Sequence, residues 1–216
     1  MKIYYPYKTK PRVSQKYDEN LATYYKEKGL VGHGAWDMYQ IHGTPILCGV
    51  DGYVFSVTNQ DNKDLMKYRA VYTLVEQDGI AYEVSYGHLG EIYVKKGDKV
   101  KIGDTIGTQS NTGTVFSGGM KITKEMKEGG STAGSHLHFQ VRLLKKATKR
   151  EAGKKYLFET INGSLYEIPL FKNGFNGCID PAPFMQDKTA YDYATSLIGK
   201  IVDVFKPTSI TRTLRY

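Results

Sequence analysis

Turns set the first limit on what this chain can become. Asp51-Gly52, Gln77-Asp78-Gly79, Gly97-Asp98 and Gly103-Asp104 each interrupt a run of β-forming residues after a few positions. Glycine beside aspartate supplies the tight corner, because glycine enters positive φ without steric cost and aspartate bonds its own backbone. A chain cut this often builds short antiparallel strands, not long helices. The segment from Gly43 to Val57 reads as two strands joined at Asp51-Gly52, and Val71–Val75 pairs with Ile80–Tyr86 as a hairpin. Asn162-Gly163 signals another hairpin. Residues 58–69 read as a polar loop, and residues 114–130 as an exposed insertion with paired glycines and several lysines. Helical signals are few. A short helix is expected near Asn20–Lys28, and Ala190, Ala194, Leu197, Ile198, Ile201, Val202 and Phe205 recur at helical spacing until Pro207 stops them. The expected fold class is mainly β: a compact antiparallel, barrel-like sheet domain over residues 1–186, then a C-terminal helix and polar tail over 187–216.

Chemistry enters at Gly134-Ser135-His136-Leu137-His138-Phe139-Gln140-Val141. Alternate residues of a strand share a face, so His136 and His138 emerge together. Both rings can then reach one metal ion, or one can ligate while the other moves protons. A half-exposed strand that merely carries two histidines fits the spacing equally well. His33 and Asp37, four apart among small residues, have the types to meet on one ion, although an aspartate capping a turn explains the pair too. His88 ends the second strand of the 71–86 hairpin, in Tyr86-Gly87-His88-Leu89.

Composition narrows the partners. The chain has 216 residues, enough for one substantial core, and its 18 tyrosines suit pleated surfaces with one wet face. A formal charge of +8 favours an anionic partner, whether nucleic acid, a membrane surface or an acidic polymer such as bacterial cell wall. The alternative is simply a basic protein. Lysines cluster at Lys121, Lys124 and Lys127 and again from Lys145 to Lys155. No nucleic-acid motif accompanies the charge, and no apolar run approaches a membrane span, so neither nucleic acid nor membrane is an expected partner. The N-terminal residues lack the apolar stretch of a signal peptide. Cys48 and Cys178 form either one disulfide or two buried thiols.

Taken together, His33-Gly34-Ala35-Trp36-Asp37, Tyr86-Gly87-His88-Leu89, the doubled Gly-Asp turns and Gly134-Ser135-His136-Leu137-His138-Phe139 occur in an order that resembles the lysostaphin-type zinc metallopeptidases of bacterial peptidoglycan. Asn111-Thr112-Gly113 and the closing Asp180-Pro181-Ala182-Pro183-Phe184 look like that family too, and the resemblance spans Gln15 to Met185. It implies a compact antiparallel β-sheet domain with the site in a groove formed by loops. It also implies one zinc ion per chain held by His33, Asp37 and His138, with His88 and His136 flanking the metal water as catalytic residues. Which of those two is the general base stays open. Ala35 stands where the family usually has Gly, and Ser135 where it has Pro; neither change removes a ligand atom. His42 has no family role and reads as an ordinary surface or turn histidine. The segments 114–130 and 144–176 exceed the common pattern and are expected to border the groove.

The implied activity is endopeptidase cleavage within stem or cross-bridge peptides. The implied setting is a bacteriophage endolysin or tail protein: the chain would wait in the host cytoplasm or virion tail, with anionic wall polymers and, through the C-terminal helix, other tail proteins as partners. A catalytically inactive relative serving as a wall-binding or virion module is the competing reading, but such proteins typically lose ligands and all five positions are filled here. A biotinyl- or lipoyl-carrier domain shares the Gly-Asp turns, yet the lysine between methionines that it needs is missing.

Overall fold

The computed structural model describes residues 1–19, 23–77, 79–158 and 163–204. The first strands are β1 (Ile3–Tyr5), β2 (Arg12–Gln15), β3 (Trp36–Tyr39), β4 (Pro45–Leu47), β5 (Gly52–Thr58), β6 (Ala70–Gln77) and β7 (Ile80–Gly87). Then come β8 (Leu89–Ile92), β9 (Lys99–Val100), β10 (Thr105–Gln109), β11 (Phe116–Ser117), β12 (Met120–Lys121) and β13 (Leu137–Ala147). The chain continues through β14 (Tyr156–Phe158), β15 (Leu165–Glu167), β16 (Cys178–Ile179) and β17 (Met185–Thr189). Helices are short except the last: α1 (Thr23–Glu27), α2 (Lys124–Glu128) and α3 (Ala190–Val204).

The main sheet runs β14-β15-β13-β7-β6-β5-β9, with β3 and β16 also on β13 and β2 outside β3. A second sheet, β4-β10-β8, packs across one face of it. Along β13 the side chains alternate as a pleated strand requires. Leu137, Phe139 and Val141 are fully buried, while His138, Gln140 and Arg142 face the other way. The first set joins Val84, Tyr86, Val71, Ile46, Leu89 and Ile106 in a core between the two sheets. Phe139 and Tyr86 meet edge to face at 5.3 Å, and truncating a buried ring of this kind costs about 3–5 kcal/mol. Tyr86 also accepts the Gly49 backbone N–H at 3.0 Å, which satisfies its buried hydroxyl. The mainly β, antiparallel expectation holds, with one exception among the described residues: β1 pairs parallel with β17.

Several local expectations change in detail. The strands either side of Asp51-Gly52 do not pair with each other: β4 joins the small sheet and β5 the main one. At the crossing, Gly49 runs against the Tyr4 carbonyl, where a Cβ would collide, and its N–H is taken by Tyr86. The insertion at 114–130 is not simply exposed, since Ile122 and Lys127 are buried. Lysines 145 and 146 belong to β13, paired with β15, so the basic segment begins inside the sheet. Of the two segments expected to border the groove, Thr114, Val115 and Phe116 do line it, but no described residue of 144–176 does. Tyr166 and Ile168 form a second apolar cluster with Leu74, Ala81 and Leu144 on the far face of the main sheet. Both cysteines are buried free thiols. His42 is exposed in a turn, its Nδ1 3.2 Å from the Ser135 hydroxyl.

The hairpin expected at Asn162-Gly163 exists as β14 and β15, paired Phe158 to Leu165. Asn162 itself lies outside the described residues, as do Asp78 of the β6–β7 turn, Asn20, Phe205 and Pro207. The 186/187 position falls within β17, which runs directly into α3. The start of α3 docks on the sheets: Ala190 is fully buried and Tyr193 stacks on Tyr4 at 4.5 Å. The side chains of Ile198, Ile201 and Val202 are not among those described.

Candidate metal centre

Register builds the site. In the antiparallel pair β3–β13, Asp37 lies directly opposite His138, so their side chains leave the same face as close neighbours. On the other edge of β13, His138 lies opposite Gly87. Gly87 has no side chain because the Tyr68 hydroxyl occupies that space. One residue later, His88 turns back over the pair. His33 arrives from the segment before β3.

Three donor atoms converge. His33 Nε2 is 3.2 Å from Asp37 Oδ1 and 3.3 Å from His138 Nδ1, and His138 Nδ1 is 2.9 Å from Asp37 Oδ1. The outer nitrogen of His33 donates to the Lys16 carbonyl at 3.2 Å. A carbonyl only accepts, so Nδ1 carries the proton and the neutral ring turns its Nε2 lone pair inward. A lone pair aimed at a carboxylate and a second imidazole makes sense around a cation. Two imidazoles and one carboxylate within reach of one point suit zinc, and leave the fourth tetrahedral position free. The residues therefore fit the metal that the motifs imply. His88, His136 and His138 also offer one donor each within a common small volume. That all-imidazole group shares His138 and lacks the anionic ligand.

His88 and His136 have their outer nitrogens fixed too. His88 Nδ1 donates to the Thr112 carbonyl at 2.6 Å, and His136 Nδ1 to the Gly134 carbonyl at 2.7 Å. Each therefore presents a bare Nε2 to the site, and His136 Nε2 is 3.4 Å from Asp37 Oδ2. The two rings meet at 4.6 Å. Burial, then the neighbouring His136 and His138, hold His88 well below the ordinary imidazole range, which keeps it neutral and able to accept a proton. Burial likewise lowers His138, against the pull of Asp37. For Asp37, burial alone would raise the carboxyl, but His136, His138 and His33 together hold it well below the usual carboxylate range.

His88 stands in the left-handed region, φ +60°. That conformation is uncommon for any residue with a Cβ and is held here by the surroundings. Its ring bonds Thr112, the edge of Tyr68 stands against it at 4.9 Å, and the next residue, Leu89, donates its N–H to the Arg69 carbonyl at 3.1 Å. Gly134, just before the His-Leu-His strand, has φ +71° and sits where a Cβ would press on Val115 at 2.9 Å. At Ser135, the position where the family usually has proline, the N–H donates to Thr132 at 3.1 Å and the hydroxyl accepts from Gln109 at 3.3 Å.

All five expected site residues thus share one open cleft of about 510 Å³, walled by Gln15, Tyr25, Met66, Tyr68, Phe116 and Gln140 among others. The sequence alone did not point to Tyr68, and it marked Thr112 and Gln140 only as members of the 111–113 turn and the 134–141 stretch, without a role. Tyr68 stands at the end of a polar loop with no periodicity to mark it. Gln140 was predictable in part, since it follows His136 and His138 on the same face.

Peptidase family M23 matches residues 31–150, more than half of the chain. The chain belongs to peptidase family M23. Over 175 residues it is 31% identical to an uncharacterized metalloprotease of Buchnera aphidicola subsp. Baizongia pistaciae, covering 78% of this chain and 40% of that protein. Over 137 residues it is 31% identical to the peptidoglycan DD-endopeptidase ShyA of Vibrio cholerae, covering 63% of this chain and 26% of that one. The chain therefore spans well under half the length of these two relatives. Among solved structures, the catalytic domain of lysostaphin from Staphylococcus simulans aligns with a TM-score of 0.45 at 22% identity, covering 81% of this chain and 91% of that domain.

Proposed function

We propose that this M23 chain is a zinc-dependent endopeptidase that cuts peptide bonds in the peptides of bacterial peptidoglycan. The observation that carries this is the convergence of His33 Nε2, Asp37 Oδ1 and His138 Nδ1 within 3.3 Å of one another, beside two further imidazoles with bare Nε2 atoms. A bound zinc would supply Lewis acidity, lowering the pKa of a water and polarising the scissile carbonyl. The protein residues do the rest. His33, Asp37 and His138 would hold the ion. His88 or His136 takes the water's proton on its bare Nε2 and returns it to the leaving amine, and the other, once protonated on Nε2, donates to the carbonyl oxygen as charge develops there. Membership of the family and the similarity to a peptidoglycan DD-endopeptidase support peptidoglycan as the substrate.

The surface charge fits an anionic wall polymer as a secondary partner, with one change to the expected cluster. Lys127 is buried and does not contribute to it, whereas Lys121 and Lys124 are exposed.

The test joins metal content to turnover. The purified protein should carry about one zinc per chain, release peptides from purified cell walls, and lose that activity to a chelator and regain it with zinc. His33→Ala, Asp37→Ala and His138→Ala should each lose the metal. Wall hydrolysis that persists in the metal-free protein would overturn the proposal.

A further inference from the structure

Lys127 is the one residue of the 114–130 insertion whose charge goes inward. It is 3% exposed and stands in the last turn of α2, a five-residue helix capped by Thr123. Its Nζ donates to the carbonyls of Asn111 at 2.5 Å, Leu65 at 3.4 Å, and Gly113. All three acceptors are backbone. A buried ammonium surrounded by carbonyls is expensive to place, and removing it takes that donor from the Asn111 and Gly113 carbonyls. Such a group is retained where the loops it joins have to be fixed.

The loops it joins both end on His88. Asn111 and Gly113 flank Thr112, whose carbonyl accepts the His88 Nδ1 proton at 2.6 Å. Leu65 lies in the loop that leads to Tyr68, whose ring stands edge-on against His88 at 4.9 Å. The Gly113 N–H also donates to the Leu65 carbonyl, at 2.9 Å, so turn and loop are stitched at the same point. The Thr112 hydroxyl donates back to the Leu89 carbonyl at 2.8 Å. His88 has left-handed backbone geometry and relies on these neighbours to stay there.

We infer that Lys127 is a positioning residue for His88: one buried ammonium locks the 111–113 turn to the 65–68 loop and so fixes the orientation and tautomer of the imidazole. The inference rests on the proposed role of His88 and adds to it a device supplied by this chain's own insertion. Lys127 touches neither substrate nor metal ligand. Its loss acts through the Thr112 carbonyl. With that acceptor free to turn, the His88 proton is no longer tied to Nδ1, and the Nε2 that should accept a proton is correctly presented only part of the time.

The experiment compares Lys127→Met with the unmodified protein, after the unmodified protein has been shown to bind zinc and hydrolyse wall peptides. A failure at that first stage counts against the proposed function and leaves the structural arm below intact. Lys127→Met should keep its zinc and a KM close to the original, and lose about tenfold to a hundredfold in kcat, the usual effect of a displaced catalytic group. With ¹⁵N-labelled histidine, the protected Nδ1–H signal of His88 should broaden or vanish while that of His136 stays. Unchanged kcat with an unchanged His88 signal would overturn the inference, as would a parallel loss of zinc and activity, which marks a purely structural residue. If the variant fails to fold, the unmodified protein still decides: ¹⁵N-labelled lysine should show one slowly exchanging ammonium assigned to Lys127, and its absence refutes the buried lock.

Discussion

His88 carries a prediction in which backbone and side chain separate. Two variants, His88→Ala and His88→Gly, both remove the imidazole, its 2.6 Å bond to Thr112 and its contact with Tyr68. They differ at the backbone, which stands at φ +60°. A Cβ in the left-handed region costs about 1–2 kcal/mol, whereas glycine enters it freely. Glycine also gains freedom in the unfolded chain, which returns about 0.4–1 kcal/mol of that advantage. The glycine variant should therefore be the more stable by about 0.5–1 kcal/mol. For a chain of this size that is a difference of about 1–4 °C in Tm. The order runs against intuition, because glycine is usually the worse replacement. Calorimetry of both variants under identical zinc and pH measures it, and both should be equally impaired in wall hydrolysis. An alanine variant as stable as the glycine variant, or more so, would refute the claim that His88 is held in a strained conformation.

Other outcomes follow from the same geometry. His88→Ala and His136→Ala should keep zinc by elemental analysis yet lose at least about a hundredfold in turnover; a His136 variant without zinc would exchange the roles of the two histidines of the strand. In chelator-treated protein, His88 and His138 are held below the ordinary imidazole range. The unfolded chain then binds more protons than the folded one below about pH 6.5, so stability should fall as the pH drops from there toward their folded values, and Tm against pH reads the sign. Arg142 donates to Glu83 at 2.5 Å with both side chains largely buried. Arg142→Met strands that carboxylate and should cost about 3–5 kcal/mol in urea unfolding, while the double variant with Glu83→Leu recovers most of it.

Much of this molecule was legible because β-structure writes its rules at short range. The two-residue period of His136, Leu137, His138, Phe139 and Gln140 assigned the faces correctly, since Leu137 and Phe139 are fully buried and the histidines line the cleft. The β6–β7 hairpin was readable from its Asp-Gly turn, with Gln77 opposite Ile80. What the sequence withheld was pairing between distant segments. Nothing local says that β4 leaves β5 for β10, since that choice depends on core packing between sheets. The parallel β1–β17 contact joins the two ends of the chain and has no turn to announce it. Lys127 misled for a related reason. A lysine among glycines and other lysines reads as surface, and only the carbonyls of Leu65, Asn111 and Gly113, contributed from elsewhere, turn it inward.

β13 also governs the order in which this protein can assemble. Along one edge it meets β7, in register from His138 to Leu144. Its other edge is shared by β3, β16 and β15, drawn from both sides of it in sequence. The β6–β7 hairpin closes over a two-residue turn, from Gln77 to Ile80, and so has the least entropy to lose when it forms first. β3 and β16 pair with β13 across long stretches of intervening chain and should join later, which would bring Asp37 to His138 only in the last stages of folding. The donor set is therefore a reporter of global folding. Metal uptake should lag behind the protection of β6 and β7 amides in a refolding experiment, and metal release on unfolding should be as slow as the opening of the whole sheet.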